Sequence, residues 1–239
     1  MKLDVLVFAS HPDDAELSCG GTICKLTDQG KRVGVIDLTR GELGTRGSAE
    51  LRDLEAAEAS RRMGLSVREN LGFRDGFFVQ DEAHTLAIIR AVRRYQPELV
   101  LANAPQDRHA DHGRASKLVR DAVFYSGLRK ISTADATGGP QAAWRPRQTF
   151  FYIQDYHLNP SFVVDITPYF ERKLDAVRAF SSQFYDPASQ EPQTPISTDD
   201  FWHFLDGRSR VMGRMIGVTY GEGFISEQPL KVGDVMSIL

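Results

Sequence analysis

The sequence predicts an α/β protein whose sheet is doubly wound and mostly parallel, with helices on both faces, a Rossmann-like arrangement. Two observations carry this. Strand-like and helix-like segments alternate through the first half of the chain, and the strand segments are apolar at consecutive positions rather than every second one. A strand that reads apolar on both faces is buried on both, and parallel sheets wrapped by helices meet that condition.

The elements follow in order. Residues 3–9 (LDVLVFA) are a short, nearly continuous apolar run, and Leu17 to Gln29 has helical spacing that stops at Gly30. RVGVIDLT (32–39) repeats the strand signal. From Ser48 to Met63 the chain offers a Ser cap, an acidic first turn, the Ala- and Glu-rich run ELRDLEAAEAS and a stop at Gly64. A weaker strand at Val67 to Leu71 precedes a helix over Glu82 to Tyr95, which Pro97 separates from the apolar run ELVLAN at 98–103. The polar loop 104–111 leads into a helix from His112 to Tyr125. Beyond it the pattern is less regular: a Gly- and Pro-containing loop at 132–147, strands at 148–154 and 162–166, and helices at 168–184 and 199–214. YDPASQEPQTPIST, between those two helices, reads as a long surface loop. With no internal repeat and no linker, the expectation is one domain spanning 1–239.

Composition excludes several classes. The 239 residues are 41% hydrophobic and 26% charged with a formal net charge of -3, and Lys and Arg are scattered, so the basic stripe that nucleic acid requires is absent. The two cysteines, Cys19 and Cys24, lie five apart in a helical segment and point to different faces. They predict no disulfide, a reducing compartment and no four-cysteine zinc site. The chain begins directly on a strand and has no run of eighteen apolar residues, which predicts a cytoplasmic protein without a membrane span.

In an open α/β sheet, ligands bind beyond the carboxyl ends of the strands. Two loops carry unusual polar groups at that edge, SHPDDAE (10–16) and QDRHADH (106–112). Together they hold three of the chain's six histidines and four aspartates. Either loop alone could be an Asx-rich helix start; their joint placement favours a site. The inventory suits a divalent metal. His11, Asp14 and His112 give two imidazoles and one carboxylate with a position left open for water, as catalytic zinc sites require. The imidazoles favour zinc over magnesium, and iron(II) suits a similar set. Asp13 is then the second carboxylate, placed to serve as general base to a water whose pKa a zinc ion lowers toward about 7.

These motifs, His11-Pro12-Asp13-Asp14-Ala15-Glu16 and His109-Ala110-Asp111-His112, resemble the HPDD-x-E and H-x-D-H signatures of the PIG-L/LmbE family of zinc-dependent N-deacetylases. TRGELGTRGSAELRDLEAAEAS (39–60), AFSSQF (179–184) and YGEGF (220–224) are also similar to it, so the likeness covers nearly the whole chain. It is strongest to the bacillithiol-biosynthesis deacetylases, which act on N-acetylglucosaminyl malate. The resemblance implies metal binding by His11, Asp14 and His112, base chemistry by Asp13, and stabilisation of the tetrahedral oxyanion by His109. Asp111 would orient the His109 imidazole; a helix cap before His112 is the other reading of Asp111.

A malate aglycone brings carboxylates, so the pocket should present cations: Arg52 and Arg108, with Arg46 a weaker third. The glycines at 41, 44 and 47 suggest a loop that approaches a ligand closely or moves over it. His84, His157 and His203 are left outside the site. Phe201, Trp202 and Phe204 read as core or subunit contacts before they read as a sugar platform. The resemblance further implies one zinc per subunit and a homo-oligomer, a trimer or hexamer. Another N-acetylglucosaminide, such as a chitooligosaccharide or an inositol conjugate, is the alternative substrate. A two-metal phosphoesterase would need a third polar loop, which is missing. A nucleotide-binding module would need a G-x-G-x-x-G after the first strand, also missing.

Overall fold

The structure is a computed structural model and describes residues 1–238. In chain order the elements are β1 (Val5–Ala9), α1 (Asp14–Asp28), β2 (Val33–Thr39), α2 (Ala49–Met63), β3 (Val67–Phe73), α3 (Glu82–Tyr95), β4 (Leu99–Ala102), α4 (Ala110–Ser126), β5 (Gln148–Tyr152), β6 (Phe162–Asp165), α5 (Phe170–Arg178), α6 (Asp199–Met215) and β7 (Gly221–Ile225). Short 3-10 turns cover Thr167–Tyr169 and Val235–Ile238.

β1 explains the consecutive apolar pattern. Its Val5, Val7 and Ala9 pack into one core with Ala15, Ile23 and Cys24 of α1, while Leu6 and Phe8 pack into a second core with α3 and α4. The seven strands order as β3-β2-β1-β4-β5-β7-β6. β3 through β5 pair in parallel, and β7 runs antiparallel to both of its neighbours. The chain winds outward from β1 to β3 on one side, then returns to place β4 on the other. The gap between β1 and β4 is therefore the topological switch point, where ligand crevices open in such sheets.

Three elements differ from the sequence expectation. α1 starts at Asp14 rather than Leu17, directly after the HPD turn. The helix expected over 168–184 is helical only to Arg178, and its remainder turns toward the site. β7 was not anticipated. Its two glycines lack a strand-like pattern because α6 lies against them: a Cβ at Gly221 would stand 2.9 Å from the Gly213 nitrogen, and one at Gly223 2.9 Å from the Met212 sulfur. Between them, Glu222 is buried and accepts the N–H groups of Gly21 and Thr22 at 3.0 and 2.7 Å and the Lys173 ammonium at 2.7 Å. α1 is non-helical at Cys19, just before those two residues, and Glu222 satisfies the N–H groups near the kink. Cys19 and Cys24 are both buried and unpaired. Among the described residues no helix is long and apolar enough to cross a membrane.

Candidate active site

The two polar loops meet at the switch point. β1 delivers His11, Asp13 and Asp14, and neighbouring β4 delivers Asp107, His109, Asp111 and His112. All of them but Asp111 border a cavity of about 450 Å³, the size of a small-molecule site. Asp13 is the N-cap of α1 by position, yet its side chain makes no capping hydrogen bond, so the aspartates are not there to cap the helix. Its backbone sits at φ 121°, a conformation side-chain-bearing residues rarely adopt.

Asp14 is held on every side. One oxygen accepts the His11 N–H at 3.0 Å and the Asn103 amide at 3.1 Å; the other accepts the Gln154 amide at 3.1 Å and lies 3.0 Å from His112 Nε2. His11 Nδ1 is 3.6 Å from the first oxygen. Burial opposes the charge on Asp14, but His112 and His11 outweigh it and hold the carboxyl well below its ordinary range.

The outer ring nitrogens are taken. His11 Nε2 faces Asp75 at 3.0 Å and Asp111 at 3.3 Å, and His112 Nδ1 faces Asp107 at 2.5 Å. His11 Nδ1 and His112 Nε2 are left facing Asp14, so these residues fit a divalent cation, with its imidazoles oriented by carboxylates behind them. His109 also converges on the site: one ring nitrogen each from His11, His109 and His112 lies within 4.8 Å of the others. Asp14 is the better third ligand, because an ionised carboxylate offsets a dication's charge where a third neutral imidazole does not.

His109 differs from the other two. It caps α4, its Nδ1 accepting the Asp111 N–H at 3.2 Å. Burial and the nearby His11 and His112 depress its pKa. A neutral ring with Nδ1 as acceptor carries its proton on Nε2, which makes it a donor. The Asp111 carboxylate makes no hydrogen bond to this ring among the described residues; it serves His11, the Gly76 N–H at 2.9 Å and Arg114 at 2.5 Å.

Asp13 lies on the cavity wall with a buried carboxyl. Burial pushes its pKa up to about 7; Arg52 opposes the rise and Asp14 adds to it. Arg52 Nη1 is 3.9 Å from Asp13 and donates to the Pro12 carbonyl at 3.4 Å, while Nη2 donates to Gln183. Its Nε is buried with no partner among the described residues. The glycines at 41 and 44 make room for this guanidinium: a Cβ at Gly41 would strike it, and one at Gly44 would lie 3.2 Å from Nη2.

The other arginines divide. Arg108 borders the cavity and pairs with Asp155 at 2.7 Å. Arg46 is buried outside the lining, donating to the Ser182 carbonyl and Ser189 hydroxyl, both at 2.9 Å, so it ties the glycine loop to the 182–191 segment. Phe201 and Phe204 line the cavity, and Phe201 also packs with Trp202 against the core on Phe184, as its reading as core expected.

Sequence reasoning missed Asp75, Gln154 and Gln183. Asp75 also accepts the Leu43 N–H at 3.0 Å, linking the glycine loop to His11. Glu16, third acid of the first motif, turns away from the cavity and pairs with Arg68 at 2.5 Å, which also grips Asp37. It anchors the start of α1 to β2 and β3.

Fold and site together define an α/β protein with a candidate metal centre at its switch point and a second buried carboxylate, Asp13, beside it. A family model for PIG-L, described as GlcNAc-PI de-N-acetylase, matches residues 6–123. Diacetylchitobiose deacetylase of Thermococcus kodakarensis is 30% identical over 233 residues, 92% of this chain and 81% of that protein. A probable N-acetyl-alpha-D-glucosaminyl L-malate deacetylase of Bacillus cereus is 27% identical over 196 residues, 77% of this chain and 84% of that one. The crystal structure of a conserved protein of Thermus thermophilus superposes with a TM-score of 0.85 at 37% identity, covering 98% of each chain. The chain belongs to the PIG-L family.

Proposed function

We propose that this protein is a metal-dependent amide hydrolase that removes the N-acetyl group from an N-acetylglucosamine conjugate, with N-acetylglucosaminyl malate of bacillithiol biosynthesis as its substrate. The observation that supports this best is the unequal pair of carboxylates, Asp14 ionised among the imidazoles and Asp13 buried, reactive and raised to about 7. The deacetylase activities named for the relatives support acetyl removal from an aminosugar.

His11, Asp14 and His112 would hold the metal, for which zinc is the first expectation and iron(II) the second. Such an ion supplies Lewis-acid chemistry, polarising a carbonyl and making water a stronger nucleophile. Asp13 takes the proton of the attacking water and returns it to the amine as the C–N bond breaks. The His109 Nε2–H donates to the acetyl oxygen as negative charge gathers on it. Arg52 favours the ionised form of Asp13, and its guanidinium on the cavity wall would meet a substrate oxygen.

Arg108 would have to exchange Asp155 for a malate carboxylate. That existing pair, with Phe201 and Phe204 on the cavity wall, favours a second sugar as the alternative aglycone. The test is metal analysis of the purified protein with amine release measured from N-acetylglucosaminyl malate, N,N'-diacetylchitobiose, an inositol conjugate and free N-acetylglucosamine. We expect about one zinc per chain and fastest release from the malate conjugate. No amine from any of the four would overturn the deacetylase reading; equal rates with and without malate would overturn the narrower one.

A further inference from the structure

Asp107 lies in the loop before α4 with its side chain only 1% exposed. Its Oδ2 meets His112 Nδ1, and its Oδ1 accepts two backbone N–H groups, from Asp155 at 2.9 Å and Tyr156 at 2.8 Å. The far nitrogen of the same ring, Nε2, is 3.0 Å from Asp14. We propose that Asp107 is a positioning residue that fixes the tautomer of His112, accepting from Nδ1–H so that the Nε2 lone pair is presented beside Asp14. This rests on the reading of His112 as a metal ligand.

The two backbone donors explain why a carboxylate is needed. They commit one oxygen of residue 107, and only a second acceptor can then receive the His112 proton. An asparagine would give its single oxygen to Asp155 and Tyr156 and turn its NH2 toward Nδ1. A donor there makes Nδ1 the acceptor and moves the ring proton to Nε2, where it blocks coordination. Alanine leaves space for a water, which can accept from Nδ1 and keep the productive tautomer.

The consequence is an inverted ranking. Asp107→Asn preserves size and the contacts to 155 and 156, yet it should bind metal worse than Asp107→Ala. If Asp107 only braces that turn, asparagine should be the milder change.

The test strips the protein of metal and measures zinc affinity by competition with a chromophoric chelator for wild type and both variants. The ring-nitrogen correlation spectrum of zinc-free His112 is recorded alongside, above its pKa of about 9. We expect wild type to bind most tightly, alanine about 10- to 100-fold more weakly and asparagine weaker still. The neutral ring should carry its proton on Nδ1 in wild type and on Nε2 in the asparagine variant. Tight wild-type binding with asparagine equal to or better than alanine would overturn the inference alone. Failure of the wild type to bind zinc would overturn the metal reading and this inference with it. The wild-type spectrum needs no variant to fold, and a proton on Nε2 there would also overturn it.

Discussion

Asp13 and Asp14 are adjacent, equally buried, and treated in opposite ways. Asp14 accepts from a backbone N–H and two amides and faces an imidazole, and it ends up more acidic than usual. Among the described residues no hydrogen bond reaches the Asp13 side chain; its nearest cation is Arg52 at 3.9 Å, and it ends up less acidic. Sequence type is therefore no guide to role here, and partnering is. A carboxylate surrounded by donors is fixed in place and charge, as a ligand must be, while one left without donors can take and release a proton near neutrality.

Exchanging the two tests this contrast most severely. Asp13→Asn should lower kcat by about 10²- to 10⁴-fold with metal content unchanged, whereas Asp14→Asn should lose metal and activity together. Metal loss in the Asp13 variant, seen by elemental analysis, would collapse the distinction. Next, His109→Ala should lower kcat by about 10²- to 10³-fold with little change in metal affinity, as expected of a donor to a developing charge. A smaller effect is expected from Gln154→Leu, which removes one donor from Asp14: metal affinity by chelator competition should fall about tenfold. Finest of all is Arg52→Met. Arg52 lowers the Asp13 pKa and the base acts ionised, so the acid limb of the kcat/KM profile should move to higher pH. A limb that stays still would mean that Arg52 does not act on this base.

The legible part of the site was the part that is local in sequence. HPDD and HADH each pack several functional groups into a few residues, and their placement after strands said which edge they share. Asp75 and Gln154 come singly from unremarkable stretches and Gln183 from the AFSSQF segment, where nothing local gives it a role, and only the arrangement of β3, β5 and the chain after α5 brings them in. Asp111 shows the limit within a motif: its neighbour His109 looked like its partner, but the first turn of α4 aims its carboxylate across to His11. The parallel half of the sheet was readable because consecutive apolar residues feed two cores. β7 was not, because its glycines answer to a contact with α6 that lies outside the strand itself.

The backbone at Asp13 has a practical consequence for anyone who makes variants of this protein. Holding a non-glycine residue at φ 121° costs about 1–3 kcal/mol, and glycine escapes that strain. Burial adds to it: the carboxyl moves from an ordinary 3.8 to about 7, so this cost to the fold is absent below 3.8, grows as pH rises from 3.8 to 7 and is complete above 7. Asp13→Gly should therefore melt at a higher temperature than wild type, most clearly in alkaline buffer. A library selected only for yield or heat resistance would enrich that variant, which lacks the proposed base, and an activity screen must run beside it from the first round.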